Sequence, residues 1–330
     1  MYYTTSLENV AFGVPYNRGY RKLRILSGYA SSAFLYHILN TYPDIELELI
    51  IGMSKKDGIK RWDHERYIQT MNENPRIQIS YHTTHPAIHA KFYHWYDDDL
   101  LNNSVTFVGS ANFSWGGFRD QNELLVEANH PNVPEVFAAP NPISCNDPRI
   151  DEYINFYTVQ IQRRNRTLQG VRQTNQQTQE TETSINLENL EYVDLPLLLN
   201  NDTAIHEKSG LNWGQRDGRE PNQAYIPVPT PFNRENPNFF PLLEQDFAML
   251  TDDGQQLICV MAQANRKAIH TSESNSIMGR YFRERIGVPL GARVDVQDVI
   301  GYGRTSVRVY KIDNETYFMD YGVENTENEE

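Results

Sequence analysis

At 330 residues with a formal net charge of −13, the chain is long for one core and comfortable for two domains of ordinary size. Its two cysteines, Cys145 and Cys259, stand far apart without metal-ligand spacing, which argues against a disulfide scaffold or a zinc site. The first twenty residues lack an apolar signal core and no later stretch approaches ~18 uninterrupted apolar residues, so a soluble, cytoplasmic protein with no membrane partner is expected.

Residues 22–128 alternate strand-like and helix-like segments. Residues 22–27 and 45–53 read as strands, and between them Ser31 and Ser32 offer caps for a helix through Phe34, Leu35, Ile38 and Leu39, whose spacing is helical. Residues 55–71 suit a second helix. Residues 76–81, 89–96, 105–113 and 124–128 suit further strands, and 151–160 a closing helix with Ile154, Tyr157 and Val159 available to pack. The alternation predicts an α/β domain over residues 1–162.

Two clusters within it carry chemistry: His89-Ala90-Lys91 and Gly109-Ser110-Ala111-Asn112-Phe113. Successive side chains of a strand alternate faces, so His89 and Lys91 are expected to point one way, as are Ser110 and Asn112. A lysine with amide and hydroxyl donors can hold the non-bridging oxygens of a phosphodiester while an imidazole attacks phosphorus or moves a proton; this scheme requires no metal. Glu123 lies eleven residues past Asn112 at the head of the apolar run Leu124-Leu125-Val126. Taken singly, a histidine in a strand is most often structural and GSxN is a common turn sequence. Their joint occurrence favours catalysis. Two assignments stay open: the Ser110 hydroxyl could satisfy a backbone group at the strand end, and Glu123 could be a solvated carboxylate.

Residues 163–184 are dominated by Gln, Thr, Asn, Arg and Glu and cannot bury enough surface to fold alone. With the leucines that return between 187 and 199, expected to pack one domain against the other, they define an interdomain segment over 163–204. From 205 to 330, short β-type runs at 256–262, 293–299 and 307–311 divided by turn residues predict a small β-barrel. Two polar stretches stand out. The first holds Asn212, Trp213, Gln215, Arg216, Asp217, Arg219, Asn222 and Gln223 between glycines; the second holds His270, Thr271, Ser272, Glu273, Asn275 and Ser276. Arginine and amide side chains of this kind make bidentate contacts to base edges. Between Arg266 and Arg293 the basic residues, among them Lys267, Arg280, Arg283 and Arg285, exceed the acids by four, whereas from Asp313 to the end there are seven acids and no base, read as a solvated tail. The bland alternatives are an amphipathic helix with a charged outer side, a surface loop with Asx turns, and Trp213 and Tyr225 as buried supports.

The HxK…GSxN pattern resembles the phospholipase D superfamily. The usual aspartate five residues after the lysine is missing, since position 96 is Tyr96 with Asp97, Asp98 and Asp99 just beyond. The glutamate after the asparagine is similar to the restriction-endonuclease branch of that superfamily, the type of BfiI, NgoFVII and NgoAVII, with NgoAVII nearest in overall pattern. The two polar stretches, within roughly 208–315, resemble the recognition arms of the B3-like pseudobarrel. The resemblance implies an α/β phospholipase D-like N-terminal domain and a C-terminal, mainly-β B3-like pseudobarrel. It further implies a metal-independent endonuclease acting on double-stranded DNA through a phosphohistidine intermediate, with His89, Lys91, Ser110, Asn112 and Glu123 catalytic, the two arms and Lys267, Arg280 and Arg283 DNA-binding, and no cofactor.

Such chemistry uses two histidines, and only one motif copy exists; His206-Glu207-Lys208 spells HxK without a following GSxN and reads as chance. A homodimer through the nuclease domain is the simplest source of the second set. A cognate DNA methyltransferase and a separate helicase-like ATPase are further partners the resemblance allows; the chain has no GxxxxGK[ST] loop of its own. The rival readings are a lipid phosphodiesterase and a catalytically idle sequence-specific DNA-binding protein.

Overall fold

The alternating segments of the first half build one eight-stranded mixed sheet. Its strands are β1 (Tyr2–Tyr3), β2 (Lys22–Ser27), β3 (Glu46–Ile51), β5 (Ile77–Tyr81), β6 (Phe92–Tyr96), β7 (Val105–Gly109), β8 (Leu125–Glu127) and β9 (Ile143–Ser144), in the order β1-β8-β7-β6-β2-β3-β5-β9. The computed structural model describes residues 1–97, 104–128, 136–137, 141–158, 187–199 and 201–323, which form two compact units, 1–188 and 189–330.

In the first unit β2, β3 and β5 run parallel, while β6, β7 and β8 continue the sheet antiparallel from the other side of β2. The carboxyl halves of β2 and β3 are buried on both faces, which is why they read as continuous apolar runs rather than alternating ones. Helix α1 (Ser32–Thr41) begins where the sequence places it, with the Ser31 hydroxyl accepting from the Phe34 amide at 3.2 Å. Its Phe34 joins Phe12, Phe113, Trp115 and Phe118 in the main core, and a smaller cluster of Leu26, Ile50 and Phe137 covers the opposite face.

Three expectations change here. The helix expected over 55–71 is broken: one turn, Ser54–Asp57, ends at Gly58, whose φ of 75° a β-carbon disfavours, β4 (Ile59–Lys60) follows, and α2 spans Arg61–Glu73. The closing helix over 151–160 reduces to the turn Ile150–Tyr153, after which β10 (Phe156–Tyr157) pairs in parallel with β4. The strands expected over 89–96 and 105–113 are shorter, so His89 and Lys91 precede β6 while Ser110 and Asn112 follow β7. Residues 159–160 and the polar run 163–184 lie outside the described residues.

The second unit is a nearly closed, mostly-β barrel of seven strands. They are β11 (Tyr192–Pro196), β12 (Ile226–Pro227), β13 (Asp246–Thr251), β14 (Gln256–Ala262), β15 (Ala268–Thr271), β16 (Ser306–Lys311) and β17 (Thr316–Asp320), in the order β11-β16-β17-β13-β14-β15-β12, and the end strands β11 and β12 touch. Residues 192–196, expected in the interdomain segment, are thus a barrel strand, and Val193, Leu195, Leu197 and Leu198 enter this unit's own core. The strand expected at 293–299 is instead the start of α4 (Val296–Tyr302), following α3 (Asn275–Ile286). A capping box between Asp295 and Asp298 explains the helix. The acid-rich end begins as structure, not tail: Thr316, Tyr317, Phe318 and Met319 of β17 are buried, and only 324–330 lie outside the described residues. Among the described residues no helix is long and apolar enough to cross a membrane.

Two buried histidines link the first unit's stability to pH. His64 Nδ1 lies 3.0 Å from the Tyr81 hydroxyl and His94 Nδ1 lies 2.9 Å from Thr106 Oγ1, and burial pushes both imidazoles down to about 4. In the unfolded chain they take up protons below about pH 6.5, so between that value and about 4 the unfolded state binds more protons and stability falls as pH falls, by up to about 3 kcal/mol per group. The urea midpoint of the first unit's unfolding, followed in the full chain, should drop from pH 7 to pH 4.5. His94→Gln should flatten that slope; an unchanged slope in the variant would refute the assignment.

Candidate active site and nucleic-acid interface

The parallel strands β2 and β3 end at Ser27 and Ile51, and each is followed by a glycine, Gly28 and Gly52. Open α/β sheets bind ligands beyond the carboxyl ends of such strands, beside the strand where the order changes direction; here that strand is β2, which has β3 on one side and β6 on the other. Gly52 accepts from the Ile88 amide at 3.0 Å, and a β-carbon there would lie 2.2 Å from the Ile88 carbonyl oxygen, so only glycine admits the chain that delivers His89. Gly28 faces the site itself: a β-carbon on it would lie 2.9 Å from His89 Cδ2, 3.3 Å from Asn112 Oδ1 and 3.4 Å from Met53 Cγ.

The Gly109–Phe113 turn is held by groups that no motif marks. The buried Ser27 hydroxyl donates to the Tyr29 carbonyl at 2.6 Å and accepts from the Phe113 amide at 2.9 Å. The Ser31 amide donates to the Phe113 carbonyl at 3.0 Å, and Tyr93 donates its hydroxyl to the Ala111 carbonyl at 2.7 Å. Asn112 is thereby set with Oδ1 accepting from the Tyr29 amide at 3.2 Å, which leaves its Nδ2 as a donor for an incoming oxygen.

His89, Lys91 and Asn112 converge as the spacing predicts, although from turns beyond the strand ends. His89 is exposed, whereas Lys91 is only 4% exposed and directs its ammonium at His89: Nζ lies 3.1 Å from Nδ1 and 2.9 Å from Nε2 and donates to the His89 carbonyl at 2.7 Å. Burial lowers the Lys91 pKa and the charge of Glu123 works against that shift. Ser110 donates its hydroxyl to the Glu123 carboxylate and accepts from the Leu124 amide at 3.1 Å. Its oxygen is therefore engaged by the next strand, as one of the two open readings foresaw. No contact joins Glu123 to His89 among the described residues; the carboxylate sets Ser110 and balances Lys91. Tyr96, at the position of the usual aspartate, stacks at 5.5 Å on His94, and Asp98 and Asp99 lie outside the described residues.

In the second unit the two polar arms meet. Ser276 donates to the Glu220 carboxylate, the Ala224 amide donates to the Asn275 carbonyl at 3.1 Å, and the Trp213 and His270 rings lie 4.9 Å apart. Burial divides the candidates. Asn212 is fully buried, with Nδ2 donating to the Val294 and His206 carbonyls and Oδ1 accepting from the Val294 amide. Asn222 donates to Glu220 and accepts from the Gly291 amide, Gln215 donates to the Pro221 and Gly291 carbonyls, Thr271 donates to the Ser274 carbonyl, and Ser272 donates to Asp246. Arg283 is also fully buried, its guanidinium spread over the carbonyls of Leu211, Pro221, Asn222, Gly279 and Ala292.

Asn212, Gln215, Thr271 and Arg283 thus serve turn backbone that lacks ladder partners, and the burial of Asn212, Asn222, Thr271 and Arg283 corrects the expectation that these four face DNA. Part of the basic excess is also turned inward, because Arg266 donates to three carbonyls and Arg285 pairs with Asp252, while Lys267, Arg280 and Arg293 stay exposed. Arg216, Asp217, Arg219, Lys267, Glu273 and Arg280 are exposed, and Gln223 is half-buried. Arg219 stacks 3.9 Å above the half-buried Trp213 ring and donates to Gln223 Oε1 at 2.9 Å, which holds its guanidinium in one pose. His270 sits against both Trp213 and Tyr225, and burial, with the Arg219 charge adding, pushes its imidazole down to about 4.

The chain matches two family models, the NgoFVII restriction endonuclease N-terminal PLD domain over residues 5–151 and the NgoFVII C-terminal B3-like DNA-binding domain over residues 185–313. The second range includes β11, in agreement with its place in the barrel. The match is to the family and does not single out NgoAVII. No curated protein matches the chain. Among solved structures it is similar to the polyphosphate kinase of Porphyromonas gingivalis, at 13% identity over 41% of this chain and 18% of that one with a TM-score of 0.27. It is also similar to NucT of Helicobacter pylori, at 14% identity over 42% of this chain and 89% of that one with a TM-score of 0.28. With a phospholipase D-like half that gathers His89, Lys91 and Asn112 and a B3-like half that presents paired polar arms, this protein belongs to the NgoFVII family of restriction endonucleases.

Proposed function

We propose that the chain is a type II-like restriction endonuclease that hydrolyses DNA phosphodiesters without a metal, through a phosphohistidine at His89. The observation that carries this reading is the meeting of an exposed imidazole, a buried ammonium and a pre-set carboxamide donor at the carboxyl end of β2. A non-bridging phosphate oxygen entering between them receives Lys91 and Asn112 as donors, and the Lys91 ammonium then exchanges His89 for phosphate.

In the proposed cycle one His89 attacks phosphorus opposite the 3′ oxygen and forms a P–N bond. A second His89, from another copy of the chain in a homodimer, carries a proton and gives it to the departing 3′ oxygen. That second imidazole then accepts a proton from the water that displaces the first, which restores both. Ser110 and Glu123 act as positioning residues behind Lys91. The barrel supplies sequence selection through the exposed Arg216, Arg219, Lys267 and Arg280 and the half-buried Gln223, with Arg219, braced by Trp213 and Gln223, a reader of a guanine edge. A restriction activity of this kind would be matched by a methyltransferase that protects host sites, and any ATP dependence would come from a separate helicase-like protein.

Incubation of the full chain with phage or genomic DNA in excess EDTA should yield defined fragments whose ends reveal the site. His89→Ala should abolish cutting yet still retard the same duplex in a gel, and wild-type protein quenched during turnover should carry an acid-labile DNA adduct that the variant lacks. Loss of cutting in EDTA removes the metal-free mechanism; cutting by the variant removes the site.

The arms divide by experiment as well. Arg219→Ala should weaken cognate binding by about 1–3 kcal/mol without lowering thermal stability. Arg283→Met should lower stability by about 3 kcal/mol or more, because it strands buried carbonyls. Equal stability losses in the two variants would contradict the division.

A further inference from the structure

Tyr29 is large, 41% exposed and placed at the mouth of the phosphate site, yet belongs to no motif. Three separate contacts fix it there. Its amide holds Asn112 Oδ1 at 3.2 Å, its ring meets the His89 imidazole edge-on with centroids 5.8 Å apart and planes at 75°, and its hydroxyl donates to the Asp57 carboxylate. The preceding Gly28 brings this backbone within van der Waals reach of both His89 and Asn112. Asp57 ends the helical turn Ser54–Asp57 that follows β3, so the tether crosses from the loop after β2 to the loop after β3.

An exposed imidazole whose hydrogen-bond partner among the described residues is Lys91 alone has rotamers to choose from, and attack on phosphorus needs one of them. Position 96 offers no carboxylate to restrict it, and Glu123 does not reach it. Resting on the phosphodiesterase reading above, we infer that Tyr29 is a positioning residue of this site: its ring, tethered to Asp57, is the wall against which the His89 imidazole is held in attacking orientation. The Tyr29 hydroxyl is pushed up to about 12 by the Asp57 carboxylate that accepts its hydrogen bond, so it stays a donor to Asp57 across the working pH range. The hydroxyl bond is solvent-exposed and weak, and the ring carries most of the effect.

The experiment compares Tyr29→Phe, Tyr29→Leu and Asp57→Ala with wild type and with His89→Ala, in steady-state cleavage of a short duplex that wild type cuts. Tyr29→Leu, which keeps the backbone donor and much of the volume, should lower kcat at least about tenfold with KM unchanged. Tyr29→Phe, which restores the ring, should recover kcat to within about threefold of wild type. Asp57→Ala should match Tyr29→Phe, and the double variant Tyr29→Phe/Asp57→Ala should be no worse than either alone, since both remove one tether.

Wild-type kcat in Tyr29→Leu overturns the inference, as does a rise in KM alone, which would make Tyr29 a DNA contact. Cleavage by His89→Ala would instead sink the underlying reading. Should Tyr29→Leu melt early, Tyr29→Phe, Asp57→Ala and their double variant still decide the case by their non-additivity, and simple addition of their effects overturns it.

Discussion

One buried hydroxyl organises the candidate active site. Ser27, at the last position of β2, donates to the carbonyl of Tyr29 and accepts from the amide of Phe113, and so joins the loop after β2 to the turn after β7. Those two segments follow strands on either side of β6, and among the described residues their backbones pair there through the single bridge between Ala30 and Phe113. Fully buried, the hydroxyl satisfies two backbone groups that would otherwise be stranded, and by doing so brings the Tyr29 amide to the Asn112 carboxamide.

Glycines do the complementary work of removing bulk. Gly28 and Gly52 stand at the ends of neighbouring parallel strands, and each lets a second segment approach so closely that a β-carbon would collide. Gly109 does the same on the far side, where a β-carbon would lie 2.0 Å from the Leu124 carbonyl oxygen; this permits the pairing that brings Glu123 to Ser110. The charges of the site then follow from position: Lys91 is buried enough to lose proton affinity, and the Glu123 carboxylate behind it offsets part of that loss.

The barrel shows how poorly side-chain type alone reports exposure. Its two arms include turn backbone folded close together, whose amides and carbonyls need partners, and Asn212, Asn222, Gln215, Thr271 and Arg283 supply them. The same residue types that read base edges also patch unpaired backbone. Around the arms Arg216, Arg219, Lys267 and Arg280 keep exposed positive groups, whereas Arg266, Arg283 and Arg285 are committed to carbonyls and carboxylates.

Legible from the chain alone were the α/β half, the β-rich half, the helix capped by Ser31 and the grouping of His89, Lys91 and Asn112. Each rests on local chemistry: periodicity, a capping hydroxyl, and residue types whose spacing already implies a shared function. The break at Gly58 and the membership of residues 192–196 in the barrel were decided by pairing with distant segments, which overrides local propensity, whereas the helix where 293–299 read as a strand is set by the local capping box of Asp295 and Asp298. Distant segments also decided the contacts of Tyr29, the Ser110–Glu123 contact and the division of the arms into exposed and buried side chains. A side chain's neighbours across more than a hundred residues are set by the closure of a sheet, and hydrogen-bond partners for irregular backbone exist only once that closure has occurred.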